Sequence, residues 1–133
     1  MNILSNAIKY TQAGGTVSLC IKQTGITKSG YGQYEFRIKD NGMGMSDEFL
    51  KTIFDPFTRA KNSTVSGIQG TGLGMAISKN IIDMMGGTID VQSEEGKGTE
   101  VSIQLDFKLS IKKQEQIKIA DLEGLRSLVV DDD

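Results

Sequence analysis

Two glycine-punctuated segments thirty residues apart hold the residue types best suited to chemistry: Asp40-Asn41-Gly42-Met43-Gly44-Met45 and Gly70-Thr71-Gly72-Leu73-Gly74-Met75. A carboxylate at the end of a strand, followed by backbone without side chains, can read a base edge and let a purine approach closely. A glycine run that opens a helix offers unobstructed N–H groups to phosphates. Together the segments read as the two ends of one nucleotide site.

Each segment has an ordinary alternative when taken alone. Asp-Asn-Gly is a common turn, and glycines often mark only a turn or the start of a helix. Asp40 could accept a hydrogen bond from the exocyclic amine of adenine, with Thr99 on a neighbouring strand helping to hold the carboxylate or a water. That contact selects adenine over guanine, whose carbonyl at the same position sets acceptor against acceptor. Gly70-Thr71-Gly72-Leu73-Gly74 lacks the spacing of a dinucleotide-binding fingerprint, follows a polar loop rather than a buried strand, and carries no phosphate-loop lysine. Asn6 and Lys9, three residues apart near the start, fall on one helical face with Asn2. An amide oxygen suits a hard divalent cation that keeps most of its waters, and an ammonium suits phosphate, although a polar helix face is usually just solvated.

These groups need a scaffold, and the apolar periodicity predicts one. Residues 1–10 read as a helix with Met1, Ile3, Leu4, Ala7 and Ile8 on one arc. Four segments alternate with period two: Val17, Leu19 and Ile21; Tyr34, Phe36 and Ile38; Ile89 and Val91; Val101, Ile103 and Leu105. Each is expected to bury one face in a mixed, mostly antiparallel sheet. Ser46 caps a short helix expected to reach about Phe54 before Pro56. A further helix follows Gly72 with a stripe of Leu73, Ala76, Ile77, Ile81 and Met84, and ends at Gly86-Gly87. Helices on one face of a sheet make a two-layer α/β sandwich. The polar stretch 55–70, with Arg59 and Lys61, reads as a lid beside the second glycine segment. Phe54-Asp55-Pro56-Phe57 reads as an aromatic anchor for its start.

Composition bounds the function. The 133 residues suffice for one core, and a formal charge of −2 gives no broad basic field for nucleic acid. No long apolar run or signal-like start occurs, and the lone Cys20 fits a reducing compartment and a small, at least half-buried strand side chain. There is no histidine, which removes imidazole as base, ligand or phosphoacceptor.

In order and approximate spacing, Asn2-Ile-Leu-Ser-Asn6-Ala-Ile-Lys9-Tyr10, Asp40-Asn-Gly42-Met-Gly44-Met, Phe54-Asp-Pro-Phe57, Gly70-Thr-Gly72-Leu-Gly74 and Gly98-Thr99 resemble the motif boxes of sensor histidine kinases. The resemblance is to their catalytic ATP-binding domain and covers residues 1–107. It implies the ATP-binding α/β sandwich shared with gyrase and chaperone ATPases. It also implies transfer of the γ-phosphoryl group of Mg²⁺-ATP to a histidine on a separate dimerisation domain. By the same resemblance Asn6 ligates Mg²⁺, Asn2 and Lys9 lie near the phosphates, and Tyr10 flanks the adenine. Asp40 reads the adenine amine with Thr99 beside it, and Gly42 and Gly44 line the base. Gly70, Thr71, Gly72, Leu73 and Gly74 form the phosphate segment, with Arg59 or Lys61 approaching the γ-phosphate.

Residues 108–123 then read as a linker, and 124–133 resemble the first strand of a receiver domain, with Asp131 and Asp132 in its acidic pair. The implied parent is a hybrid kinase in a phosphorelay, with a receiver domain or response regulator as partner. This portion is expected to be cytoplasmic, with membrane contact only through parent segments outside this sequence. The family normally has a strand and a helical segment before the first box, so this copy is expected to lack part of the fold and to leave a face that a second copy, in a homodimer, could cover. Two other readings stay open: an ATPase of the gyrase or chaperone type, and a nucleotide-binding docking module that transfers nothing. The former places a glutamate one turn before the metal asparagine, where this chain has Asn2.

Overall fold

The computed structural model describes residues 2–27, 30–58 and 71–109. Helix α1 (Asn2–Tyr10) leads into strands β1 (Val17–Ile26) and β2 (Tyr31–Asp40), followed by the short helix α2 (Asp47–Leu50). Helix α3 (Gly74–Met84) and strands β3 (Thr88–Glu94) and β4 (Gly98–Lys108) complete the described elements. The sheet runs β1-β2-β4-β3, with every neighbouring pair antiparallel. Both long helices pack on one face, α1 over β2 and against α3, and α3 over β3. The two-layer α/β sandwich expected from the periodicity is therefore present.

The core forms where the strand alternation meets the helices. Ile38, Val101 and Ile103 present one sheet face to Ala7 of α1 and Ile82 of α3, with Phe36, Ile89 and Val91 packed around them. Burying each of the larger side chains contributes about 1.5–3 kcal/mol. Strands β2, β3 and β4 thus bury one face as their sequences predict.

Strand β1 does not. Leu19 and Ile21 lie opposite Ile38 and Phe36, on the same side of the sheet as the core, yet are 51% and 57% exposed. The reason is lateral: β1 lies at one edge of the sheet, and the described helices stand over β2 and over β3 at the other edge. Cys20, expected to be at least half-buried, is exposed, because the alternation turns it to the outer face of that edge strand.

The helix expectations also need correction. Ala7 is buried, but Ile8 at the margin of the predicted arc is exposed. On α3 the buried residues are Ala76 and Ile82, while Ile77, Ile81 and Met84 of the predicted stripe face outward. Two apolar arcs run along this helix, and periodicity cannot choose between them. Packing against the sheet makes the choice, placing Ile82 in the buried cluster with Ala7, Ile38, Val101 and Ile103.

Ser46 caps α2, its Oγ accepting from Phe49 N at 3.4 Å, but the helix stops at Leu50 rather than Phe54. Turn bonds from Thr52 N to Phe49 O and from Asp55 N to Thr52 O replace it, as expected where Pro56 pushes its predecessor out of helical geometry. Ile53 goes into the core and Phe54 is half-buried, whereas Phe57 is 74% exposed and anchors nothing against the core. Its backbone is held instead, its N–H donating to Gly72 O at 3.1 Å. Most of the stretch read as a lid, and the receiver-like strand, lie outside the described residues.

Candidate functional site

The site begins with a buried charge. The alternation that turns Phe36 and Ile38 toward the helices carries Asp40, at the last position of β2, to the same face, where it is 8% exposed. A carboxylate in such a place must be hydrogen-bonded. Oδ1 accepts from Gly42 N at 2.9 Å and from Thr99 N at 3.2 Å. Both bonds go to one oxygen, and neither engages Oδ2.

Asp40 belongs to a row that crosses the sheet. Val17 on β1 pairs with Asp40, Asp40 with Thr99 on β4, and Thr99 with Ser93 on β3. Beyond the row the chain passes through Asn41, whose Oδ1 accepts from Thr16 N at 2.7 Å, and Met43, whose N–H reaches Tyr10 O at 3.2 Å. The end of α1 and the first glycine segment are thereby tied together. Gly44 completes the turn at φ +64°, with Glu94 O only 1.9 Å from where a Cβ would stand, so no other residue fits without moving the backbone.

These elements surround a cavity of about 260 Å³. One wall is α1, with Asn2, Asn6, Lys9 and Tyr10, and the sheet end contributes Asp40 and Thr99. Gly44 and the segment Thr71, Gly72 and Gly74 also line it, which brings the two glycine segments to one space. Lys9 Nζ stands 5.5 Å from the Tyr10 ring centroid. Leu73 is the N-cap of α3 and, being apolar, makes no side-chain capping bond to the leading N–H groups of that helix.

Two expected residues are placed differently. Gly42 is buried and does not line the cavity; it stands behind Asp40 and orients it. Leu73 caps α3 rather than lining the space. Gly70, Arg59 and Lys61 lie outside the described residues. Sequence reasoning passed over Met43, Met45, Met75, Phe49, Ile53 and Val91, which give the cavity its apolar lining, and Ser93 in the row behind it. Their signal was available: the methionines alternate with the glycines already singled out, and Ser93 continues the Ile89, Val91 alternation with a polar residue on the core face.

Among the described residues no three His, Cys, Asp or Glu side chains cluster as a metal site. Asn6, on the α1 wall, offers a neutral amide oxygen, a ligand type that a hard divalent cation accepts.

The family described as histidine kinase-, DNA gyrase B- and HSP90-like ATPase matches residues 1–109. The chain belongs to this family. Among curated relatives, the sensor protein GacS of Pseudomonas syringae pv. syringae is 35% identical over 98% of this chain and 14% of its own length. The sensor protein kinase WalK of Staphylococcus epidermidis is 38% identical over 81% of this chain and 17% of its own. The chain thus spans less than a fifth of these relatives. Among solved structures, the mycobacterial sensor histidine kinase MprB superposes with a TM-score of 0.65 at 28% identity, covering 82% of this chain and 68% of that one. Full-length ShkA in complex with AMPPNP gives 0.63 at 29% identity, covering 82% and 20% respectively. The fold is that of the ATP-binding catalytic domain of histidine kinases.

Proposed function

We propose that the chain binds Mg²⁺-ATP in this cavity and presents the γ-phosphoryl group to a histidine on a separate dimerisation domain. The observation that carries the reading is Asp40: a buried carboxylate with one oxygen held by two backbone N–H groups and the other left to accept the 6-amino group of adenine. Tyr10 flanks the base, and Gly44 lets it approach. Asn6 supplies the oxygen that holds Mg²⁺, while Asn2, Lys9 and the N–H groups from Thr71 to Gly74 meet the phosphates, with Gly70 and Arg59 adding to that end. The cation, when bound, neutralises charge on the phosphate oxygens.

Transfer of this kind depends on positioning and charge stabilisation, so the histidine-free chain needs no nucleophile of its own. The attacking nitrogen belongs to the partner. One N–H of the Asn2 amide goes to Gly74 O at 3.4 Å, and an amide cannot serve as a general base for water, so ATP hydrolysis by the gyrase-type route is expected to be slow. Residues 124–133 are proposed to open a receiver domain after a linker, which makes the parent a hybrid kinase and a receiver the next phosphoryl acceptor. In support, the match to GacS extends over 98% of the chain, past the 109 residues that the family covers. Among the described residues no helix is long and apolar enough to cross a membrane, and any anchoring is assigned to other segments of the parent.

The test is to incubate the intact parent with ATP labelled at the γ-position. Acid-labile, base-stable phosphohistidine that disappears in Asp40→Asn is the expected result. Acid-stable phosphoserine, or binding with no transfer to any histidine domain supplied in trans, would overturn the kinase reading, the latter in favour of a docking module.

A further inference from the structure

Ser93 occupies the β3 end of the row that contains Asp40 and Thr99, behind the cavity wall. Its Oγ lies 2.9 Å from Gly98 O and 2.8 Å from Thr99 Oγ1. A carbonyl oxygen has no proton to give, so the single Ser93 proton goes to Gly98. The contact with Thr99 then uses the Thr99 proton, and Thr99 is the donor. Its backbone N–H is committed as well, to Asp40 Oδ1 at 3.2 Å. Thr99, which lines the cavity, therefore has only lone pairs to offer there, beside a carboxylate that also only accepts.

We propose that Ser93 is a positioning residue that fixes the polarity of the Thr99 hydroxyl, and so makes the site favour a purine with an amino group at its 6-position over one with a carbonyl. The inference rests on the ATP reading above and goes beyond it by assigning base selectivity to a residue outside the cavity. A 6-amino group has two N–H donors for a wall of acceptors. If one water intervenes, it must donate to Thr99, and its other proton suits the unprotonated ring nitrogen of adenine. A 6-oxopurine opposes an oxygen and a protonated ring nitrogen to these arrangements. Removing the Ser93 hydroxyl frees the Thr99 proton to rotate toward that oxygen, while Asp40 can still accept from the ring N–H.

The test is calorimetric titration with ATP and with inosine triphosphate, which differs from ATP in the 6-substituent and the accompanying ring proton and has no 2-amino group. The ratio of their dissociation constants is the readout. Ser93→Ala is expected to lower the preference for ATP about 5- to 10-fold, chiefly by tightening inosine triphosphate, since one mismatched contact becomes a hydrogen bond. Ser93→Thr, which keeps the hydroxyl, is expected to retain the ratio. Where Ser93→Ala does not fold, Ser93→Cys serves, because its sulfur accepts poorly at nearly the same volume. An unchanged ratio in a folded Ala or Cys variant, including parallel weakening of both nucleotides, would overturn the proposal and leave the ATP reading intact. A folded parent chain that binds neither nucleotide would overturn both.

Discussion

In the proposed site Asp40 has two roles, one for each oxygen, and substitution can separate them. Asparagine keeps an oxygen that can accept from Gly42 N and Thr99 N, the bonds now made at 2.9 Å and 3.2 Å. It replaces the second oxygen with an NH₂ group that faces the adenine amine donor to donor. Loss of a charge-assisted hydrogen bond costs about 2–3 kcal/mol, so Asp40→Asn should weaken ATP binding about 30- to 150-fold. The fold should lose about 1 kcal/mol, from a neutral acceptor replacing a charged one. Alanine removes the acceptor altogether, and two buried N–H groups without partners cost about 1–3 kcal/mol each. In a domain of this size 1 kcal/mol moves Tm by about 4–8 °C, so Asp40→Ala should melt at least about 8 °C lower and Asp40→Asn about half as much or less. Calorimetry with ATP and thermal melting of both variants decide the matter. Equal losses of Tm, or an Asp40→Asn protein that binds ATP within threefold of the parent, would refute this division of labour.

Asn6→Ala should remove most of the gain in ATP affinity that Mg²⁺ provides, while affinity measured in EDTA stays within about twofold; equal loss in both conditions would argue against metal ligation by Asn6. Gly44→Ala places a Cβ against Glu94 O at a φ of +64°, and should cost more than about 3 kcal/mol in urea unfolding; a loss under about 1 kcal/mol would show that the turn yields easily. Ile38→Ala, at 6% exposure, should cost about 2–5 kcal/mol, whereas Leu19→Ala on the uncovered edge strand should cost about 1 kcal/mol or less. Comparable losses would mean that β1 is covered in solution.

Much of the site was legible because its residues lie at fixed positions in short periodic segments. Strand parity alone puts Asp40 on the face of Phe36 and Ile38, and helical spacing alone puts Asn2, Asn6 and Lys9 together. The roles of Gly42 and Ser93 were not legible. Each acts through a hydrogen bond whose partner is set by strand register and turn geometry, and residues five and six apart, such as Ser93 with Gly98 and Thr99, meet only because β3 and β4 form a hairpin. Nor could the sequence say that Phe57 would remain outside while Ile53 went in, since both are apolar and flank the same proline.

The elements, the antiparallel two-layer class and most of the polar residues that meet around the cavity follow from alternation, helical periodicity and glycine-rich turns, which are local in origin. Packing between elements settles which of two apolar arcs α3 turns inward, that β1 keeps Leu19 and Ile21 exposed, and which oxygen of Asp40 the two backbone N–H groups hold. Those outcomes depend on what stands opposite each group. That is fixed by packing between elements distant in the chain, which no local pattern encodes.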